Sequence, residues 1–199
     1  LHRRRHSFPT RRSSDLMEID LECDGVNITG WLPQVQENGL LRWRPSLLSV
    51  SQGMQLWLEH LVYCASGGKG ESRLLLRKEG EWCFPPLAVD EANAYLAQLV
   101  KGYRQGMCQP LLFLPESGGA WIKACYDAEN DAILRDTETQ QKARSKFLQA
   151  YEGNMVVSGE GADVWYQRLW RTLEPAQYEA VIEQTTPYLL PVFRFNQST

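Results

Sequence analysis

Histidines, cysteines and clustered carboxylates carry most protein chemistry near neutral pH, and this sequence uses them sparingly. Past residue 16 the only histidine is His60, inside the apolar run MQLWLEHLVYCA. Ser-His-Asp and Cys-His nucleophile designs and His-based zinc sites therefore have almost no material, and a lone histidine on an apolar helix reads as structural. The cysteines, Cys23, Cys64, Cys83, Cys108 and Cys125, are odd in number and scattered, with no C-x-x-C pair. That spacing signals neither a disulfide framework nor a zinc finger, and a reducing cytoplasm is the expected compartment. SGGKG at 66–70 lacks the G-x-x-x-x-G-K-[ST] spacing of a phosphate loop and reads as a flexible turn. ESGGAW at 116–121 places two glycines ahead of an expected helix, where an anion could be received or the turn could simply pack tightly. Asp127, Glu129, Asp131 and Asp136 crowd one stretch without the glycine and closing glutamate of an EF-hand. A charged, solvated connection is expected there, with no resident metal or cofactor.

The elements that must position these groups come from a chain of 199 residues, 43% apolar and 23% charged, with a formal charge of −3. Such a chain buries a real core without staples, and no run approaches the ~18 apolar residues of a membrane span. Charge is uneven. Residues 1–16, LHRRRHSFPTRRSSDL, carry five arginines against one aspartate, while residues 17–199 carry 16 Lys+Arg against 23 Asp+Glu, a balance of −7. The opening lacks the apolar periodicity of a transit helix and the apolar core of a secretory signal. It looks like translated sequencing adapter, so a non-native tail is expected at 1–16 and one domain at 17–199.

From Glu18 to Arg44 the pattern is strand and turn. EIDLEC alternates, Asp24-Gly25 signals a hairpin, VNITGWL resumes, and Asn38-Gly39 turns into LLRWR, giving three expected strands in a meander. Pro45 ends the third, and Ser49 or Ser51 can cap a helix whose apolar face is Leu56, Trp57, Leu58, Leu61, Val62 and Ala65. SRLLLRKEGEWCF reads as a hairpin about Glu79-Gly80, and Val89–Gly106 as a helix with Tyr95, Leu96, Leu99, Val100 and Tyr103 on its apolar side. PLLFLP is a short extended segment. Helices follow over AWIKACYDA, TQQKARSKFLQAYEG, DVWYQRLWRTL with Asp163 as a cap, and PAQYEAVIEQT with Pro175 in its first turn. Most of the seven tryptophans are expected in the core. The class is α/β (α+β), a mixed sheet flanked by helices.

The runs MQLWLEHLVYCASGGKGESRLLLRKEGEW, PLLFLPESGGAWIKACYDAENDA, KARSKFLQAYEGN and YLLPVFRFNQS closely resemble the C-terminal region of the RecC family, the gamma subunit of bacterial exodeoxyribonuclease V, the RecBCD helicase–nuclease. The resemblance covers nearly all of Met17 to Ser198 and implies the end of a much larger subunit. It also implies a PD-(D/E)xK nuclease-like core with its catalytic residues lost. Active members of that superfamily show G-Φ-Φ-D on one strand and Φ-D-Y-K on the next, the acids holding Mg²⁺ and the lysine serving the attacking water. Here Gly30-Trp31-Leu32-Pro33 and Leu41-Arg42-Trp43-Arg44 fall at those places, with Gln55-Leu56-Trp57 opening the helix. Pro33 offers no carboxylate, and Arg42 sets a permanent cation where the metal would sit. At ~4 Å that charge repels Mg²⁺ by about 8 kcal/mol at an effective dielectric of 20.

What the resemblance implies for function is a non-catalytic scaffold and partner-docking module in DNA end processing and double-strand-break repair, working with the RecB and RecD subunits and with double-stranded DNA ends. An acidic body fits protein docking better than extended phosphate contact. A basic strip of Arg42, Arg44, Arg73, Arg77 and Lys78 could touch DNA or be solvated strand face. The rival reading is an active metal-dependent nuclease using Asp20, Glu22 and Asp24, which share one face of a strand. In the C-terminal run YLLPVFRF, Pro187 and Pro191 argue against a helix interior. The run is expected either to pack back onto its own domain or, as an extended strand, to offer Phe193 and Phe195 to a neighbouring subunit such as RecD.

Overall fold

A computed structural model describes residues 16–77 and 80–197. Residues 1–15 of the expected tail, and Lys78, lie outside the described residues; Leu16 opens the first strand.

Strands β1 (Leu16–Cys23) and β2 (Val26–Pro33) form an antiparallel ribbon about Asp24 and Gly25, both at positive φ, the geometry a two-residue hairpin needs. Met17, Ile19, Leu21 and Cys23 face inward, and Glu18, Asp20 and Glu22 face solvent. The expected three-strand meander does not form. After Pro33 the chain takes positive φ at Gln34 and starts a second, four-stranded sheet, β3 (Val35–Gln36), β4 (Gly39–Arg44), β5 (Glu71–Leu76) and β6 (Glu81–Phe84), in that order. It is mixed: β4 and β5 are parallel, the other pairs antiparallel. Helix α1 (Val50–Ala65), capped by the Ser49 hydroxyl accepting from Gln52 N–H, is the crossover that a parallel pair requires. Gly39 sits at φ +128°, and a Cβ there would collide with the Glu71 backbone across the sheet, so glycine is required where β4 meets β5.

Helix α1 lies on one sheet face through Leu56, Trp57 and Leu61, while Leu58 points outward, contrary to expectation. Helix α2 (Val89–Cys108) runs past Gly106, and its Tyr103 is exposed. Helix α3 (Pro115–Cys125) begins earlier than expected and takes in Gly118 and Gly119, whose missing Cβ atoms leave room for Thr185 and Val50. The ESGGAW glycines are therefore crossing points inside a helix. The anion at that helix start is the protein's own: Glu160 accepts from Glu116 N–H at 3.0 Å and Ser117 N–H at 2.7 Å.

After a small hairpin of β7 (Tyr126–Asp127) and β8 (Ala132–Ile133) come α4 (Thr137–Glu152), the short α5 (Val164–Leu169) capped by Asp163, and α6 (Pro175–Arg194). The extended strand considered for the C-terminal run is replaced by the last turns of α6, with Pro187 and Pro191 inside the helix. Pro191 cannot donate to the Pro187 carbonyl, and Gln98 of α2 supplies the missing donor at 3.1 Å. Phe195 stacks on the buried Trp57 at 5.3 Å and Phe193 meets Trp82 edge-on at 5.7 Å, so both rings pack in cis. Of the seven tryptophans, Trp57, Trp82 and Trp121 are buried, whereas Trp31, Trp43 and Trp165 are exposed, fewer in the core than expected. No helix among the described residues is long and apolar enough to cross a membrane.

His60 is fully buried between Trp57 and Phe84, its Nδ1 hydrogen-bonded with the Ser72 hydroxyl at 2.8 Å. Burial lowers its pKa to about 4. The unfolded chain binds a proton from about pH 6.5 downward and the folded chain does not, so stability is full above that pH and falls as pH drops toward 4. The loss attributable to His60 is about 3 kcal/mol, and urea unfolding against pH should show it removed in His60→Gln. Phe195→Ala should lower stability by about 2 to 3 kcal/mol in the same assay, through lost packing on Trp57.

Candidate functional site

Alternation along β4 sends Leu40, Arg42 and Arg44 toward α1 and Leu41 and Trp43 to the opposite face. On α1, Gln52, Gln55 and Glu59 recur at three- and four-residue spacing, and Gln55 and Glu59 meet those arginines. Arg42 Nε donates to Glu59 Oε2 at 2.7 Å, with only 14% and 25% of the two side chains exposed. Its Nη1 reaches the Gln34 carbonyl at 3.5 Å and the Gln34 side-chain oxygen at 3.4 Å. Arg44 Nη2 donates to Gln55 Oε1 at 2.9 Å, and Gln52 donates to the Ser46 hydroxyl at 2.8 Å. The gap within this ladder is about 20 Å³, room for about one water.

Pro33, Arg42 and Arg44 are thus brought into one neighbourhood, Pro33 through its successor Gln34. Sequence reasoning missed Glu59 and Gln34. Glu59 had a readable signal, being the only acid in α1 and four residues from Gln55. Gln34 had none, since its position depends on the positive φ that breaks the strand.

The expected basic strip is split. Arg73 faces away from α1, held by Glu71 at 2.9 Å and Glu81 at 3.6 Å, because it is one residue out of phase with Leu74, the partner of Arg42. Arg77 lies past the end of β5, exposed, with its N–H on the Ser46 carbonyl. Asp20 and Glu22 point outward from the ribbon, and Asp24 sits in its turn, 3.4 Å from Arg104. None of the three approaches Arg42 or Arg44. Asp127 braces its own turn, Asp131 binds Arg194 and Tyr126, and Asp136 caps α4. Among the described residues no three His, Cys, Asp or Glu side chains converge as a metal set. Burial raises the thiols of Cys23, Cys64, Cys83 and Cys125, the last to about 11, which keeps them protonated and unreactive near neutral pH.

The fold and this site define a mixed α/β domain whose central polar cluster is an arginine–carboxylate pair shielded between strand and helix. The RecC C-terminal domain family matches residues 2–126. The RecBCD enzyme subunit RecC of Escherichia coli is 72% identical over 188 residues, 94% of this chain and 17% of that protein. RecC subunits from two Buchnera aphidicola strains are 34% identical over 177 residues and 36% over 151, covering 89% and 76% of this chain and 16% and 14% of their own lengths. The chain belongs to the RecC C-terminal domain family, and it spans about a sixth of the length of these relatives.

Glu59→Gln leaves the Arg42 charge without its counter-ion in a partly desolvated place. It should cost about 1 to 2 kcal/mol in urea unfolding, and the paired Arg42→Met, Glu59→Met change should cost less than the two single changes together.

Proposed function

We propose that this chain is the non-catalytic C-terminal domain of a RecC-type subunit, a PD-(D/E)xK nuclease-like core kept as a scaffold and docking module for the RecB and RecD subunits in DNA end processing and double-strand-break repair. One observation carries the reading: the Arg42–Glu59 pair at 2.7 Å stands where the resemblance sets the metal-binding acid. A metal there would face a fixed guanidinium, and the one nearby carboxylate is already neutralised by it. The chain order supports the same reading, with Pro33 ending β2, Arg42 and Arg44 on β4, and Gln55 on the following helix.

Docking to protein is favoured over tracking a phosphate backbone. Phosphate contact draws on clustered, free Lys and Arg, whereas Arg42, Arg44 and Arg73 are divided between two sheet faces and engaged with Glu59, Gln55, Glu71 and Glu81. DNA ends are then met through the assembly, with the exposed Arg77 as the described member of the strip still open to them.

The purified chain should not cleave linear duplex or single-stranded DNA with Mg²⁺ or Mn²⁺. Metal-dependent cleavage that disappears in Asp20→Ala or Glu22→Ala would overturn the proposal in favour of an active nuclease. Installing Pro33→Asp, Arg42→Asp and Arg44→Lys together should at most restore weak Mn²⁺ binding by calorimetry without turnover, since the supporting residues around a metal centre are absent.

A further inference from the structure

We propose that the open face of the four-stranded sheet, built on Leu41, Trp43 and Leu75, is the seat of the amino-terminal portion of the same subunit in full-length members of this family. The inference rests on the reading of this chain as a RecC-type C-terminal domain. Residues in register on neighbouring strands share a face, so Trp43 lies beside Leu75 and Leu41 beside Arg73, all opposite to α1. Leu41, Trp43 and Leu75 are 36%, 72% and 42% exposed, a contiguous apolar patch on the central strand pair of the sheet. Parallel pairs of this kind ordinarily have both faces covered, and here α1 covers one.

Three features identify the occupant. Among the described strand residues of this face the charges are Arg73, Glu71 and Glu81, so their balance is acidic and repels a phosphate backbone, whereas an apolar protein surface meets no such penalty. The chain covers 17% of the E. coli relative and matches a C-terminal domain, which leaves about five-sixths of a full-length subunit on the amino-terminal side. Finally, in a full-length subunit that amino-terminal portion is joined covalently to this domain, and a tethered surface binds at a high effective concentration.

The test uses full-length E. coli RecC in which residues 16–199 of this chain replace the matched segment. Co-purification with RecB and RecD certifies assembly, and its failure would count against the RecC-type reading itself. Hydroxyl-radical footprinting should then show Trp43 oxidised at least tenfold more slowly in the chimeric subunit alone than in the same subunit unfolded in guanidinium. Rapid oxidation of Trp43 in the folded, assembled subunit sinks the inference, and so does protection that begins only when RecB and RecD are added, since the occupant would then be another subunit. In a second arm, this chain is supplied in trans to E. coli RecC lacking the matched segment. Trp43→Glu should lower retention at least tenfold while Trp165→Glu, on α5, leaves it unchanged; equal retention of both variants overturns the assignment.

Discussion

The indole of Trp57 is the contact on which the first half of the domain depends. It is buried on α1 and touches Phe84 of β6, Tyr95 of α2 and Phe195 at the end of α6, with ring centroids 5.1, 5.6 and 5.3 Å away. Four elements spread over nearly the whole described chain therefore meet at one side chain. Aromatic contacts of this kind add to the area they bury, and removing the central ring would leave each of the other three without a face. The second cluster, built on Phe147, Tyr166, Tyr178 and Leu189, joins the first through α6, whose Leu189 belongs to one core and Val192 to the other.

Helix ends are held by distant carboxylates, which ties the two cores a second way. Glu116, at the start of α3, accepts from Val50 and Ser51 N–H at the start of α1, while Glu160 accepts from Glu116 and Ser117 N–H. Each carboxylate satisfies helix amides that would otherwise be orphaned. Burial still raises the Glu160 carboxyl above the usual range, since desolvation outweighs the two amides. These links make α1, α3 and the turn at 160–162 one cooperative unit, and they fix the angle at which α1 presents Gln55 and Glu59 to β4.

That presentation decides what the site can do. A strand that sends Arg42 and Arg44 against a helix needs acceptors on the helix, and Glu59 and Gln55 supply them. The result is an ion pair between strand and helix with room for about one water beside it. On the opposite face of the same strand Trp43 remains exposed.

Local rules made much of the fold legible. Asp24-Gly25 marked the ribbon turn, Ser49 or Ser51 and Asp163 marked helix starts, and apolar spacing located α1 and α2, because capping, turn chemistry and periodicity act within a few residues. The arginines at 42 and 44 were legible too, Arg42 as a cation where the resemblance sets an acid and Arg44 where it sets the lysine. Their partners were not. Whether Arg73 joins Arg42 depends on a strand register that pairs residues 32 apart. The survival of α6 through Pro187 and Pro191 depends on Gln98 reaching a freed carbonyl from another helix. Phe193 and Phe195 turn inward because Trp57 and Trp82 wait there. The sequence by itself determined most helices and strands and which residue types could do chemistry; tertiary structure decided the fate of the C-terminal run and which side chains meet, since those contacts join positions far apart in the chain and depend on the packing of whole elements.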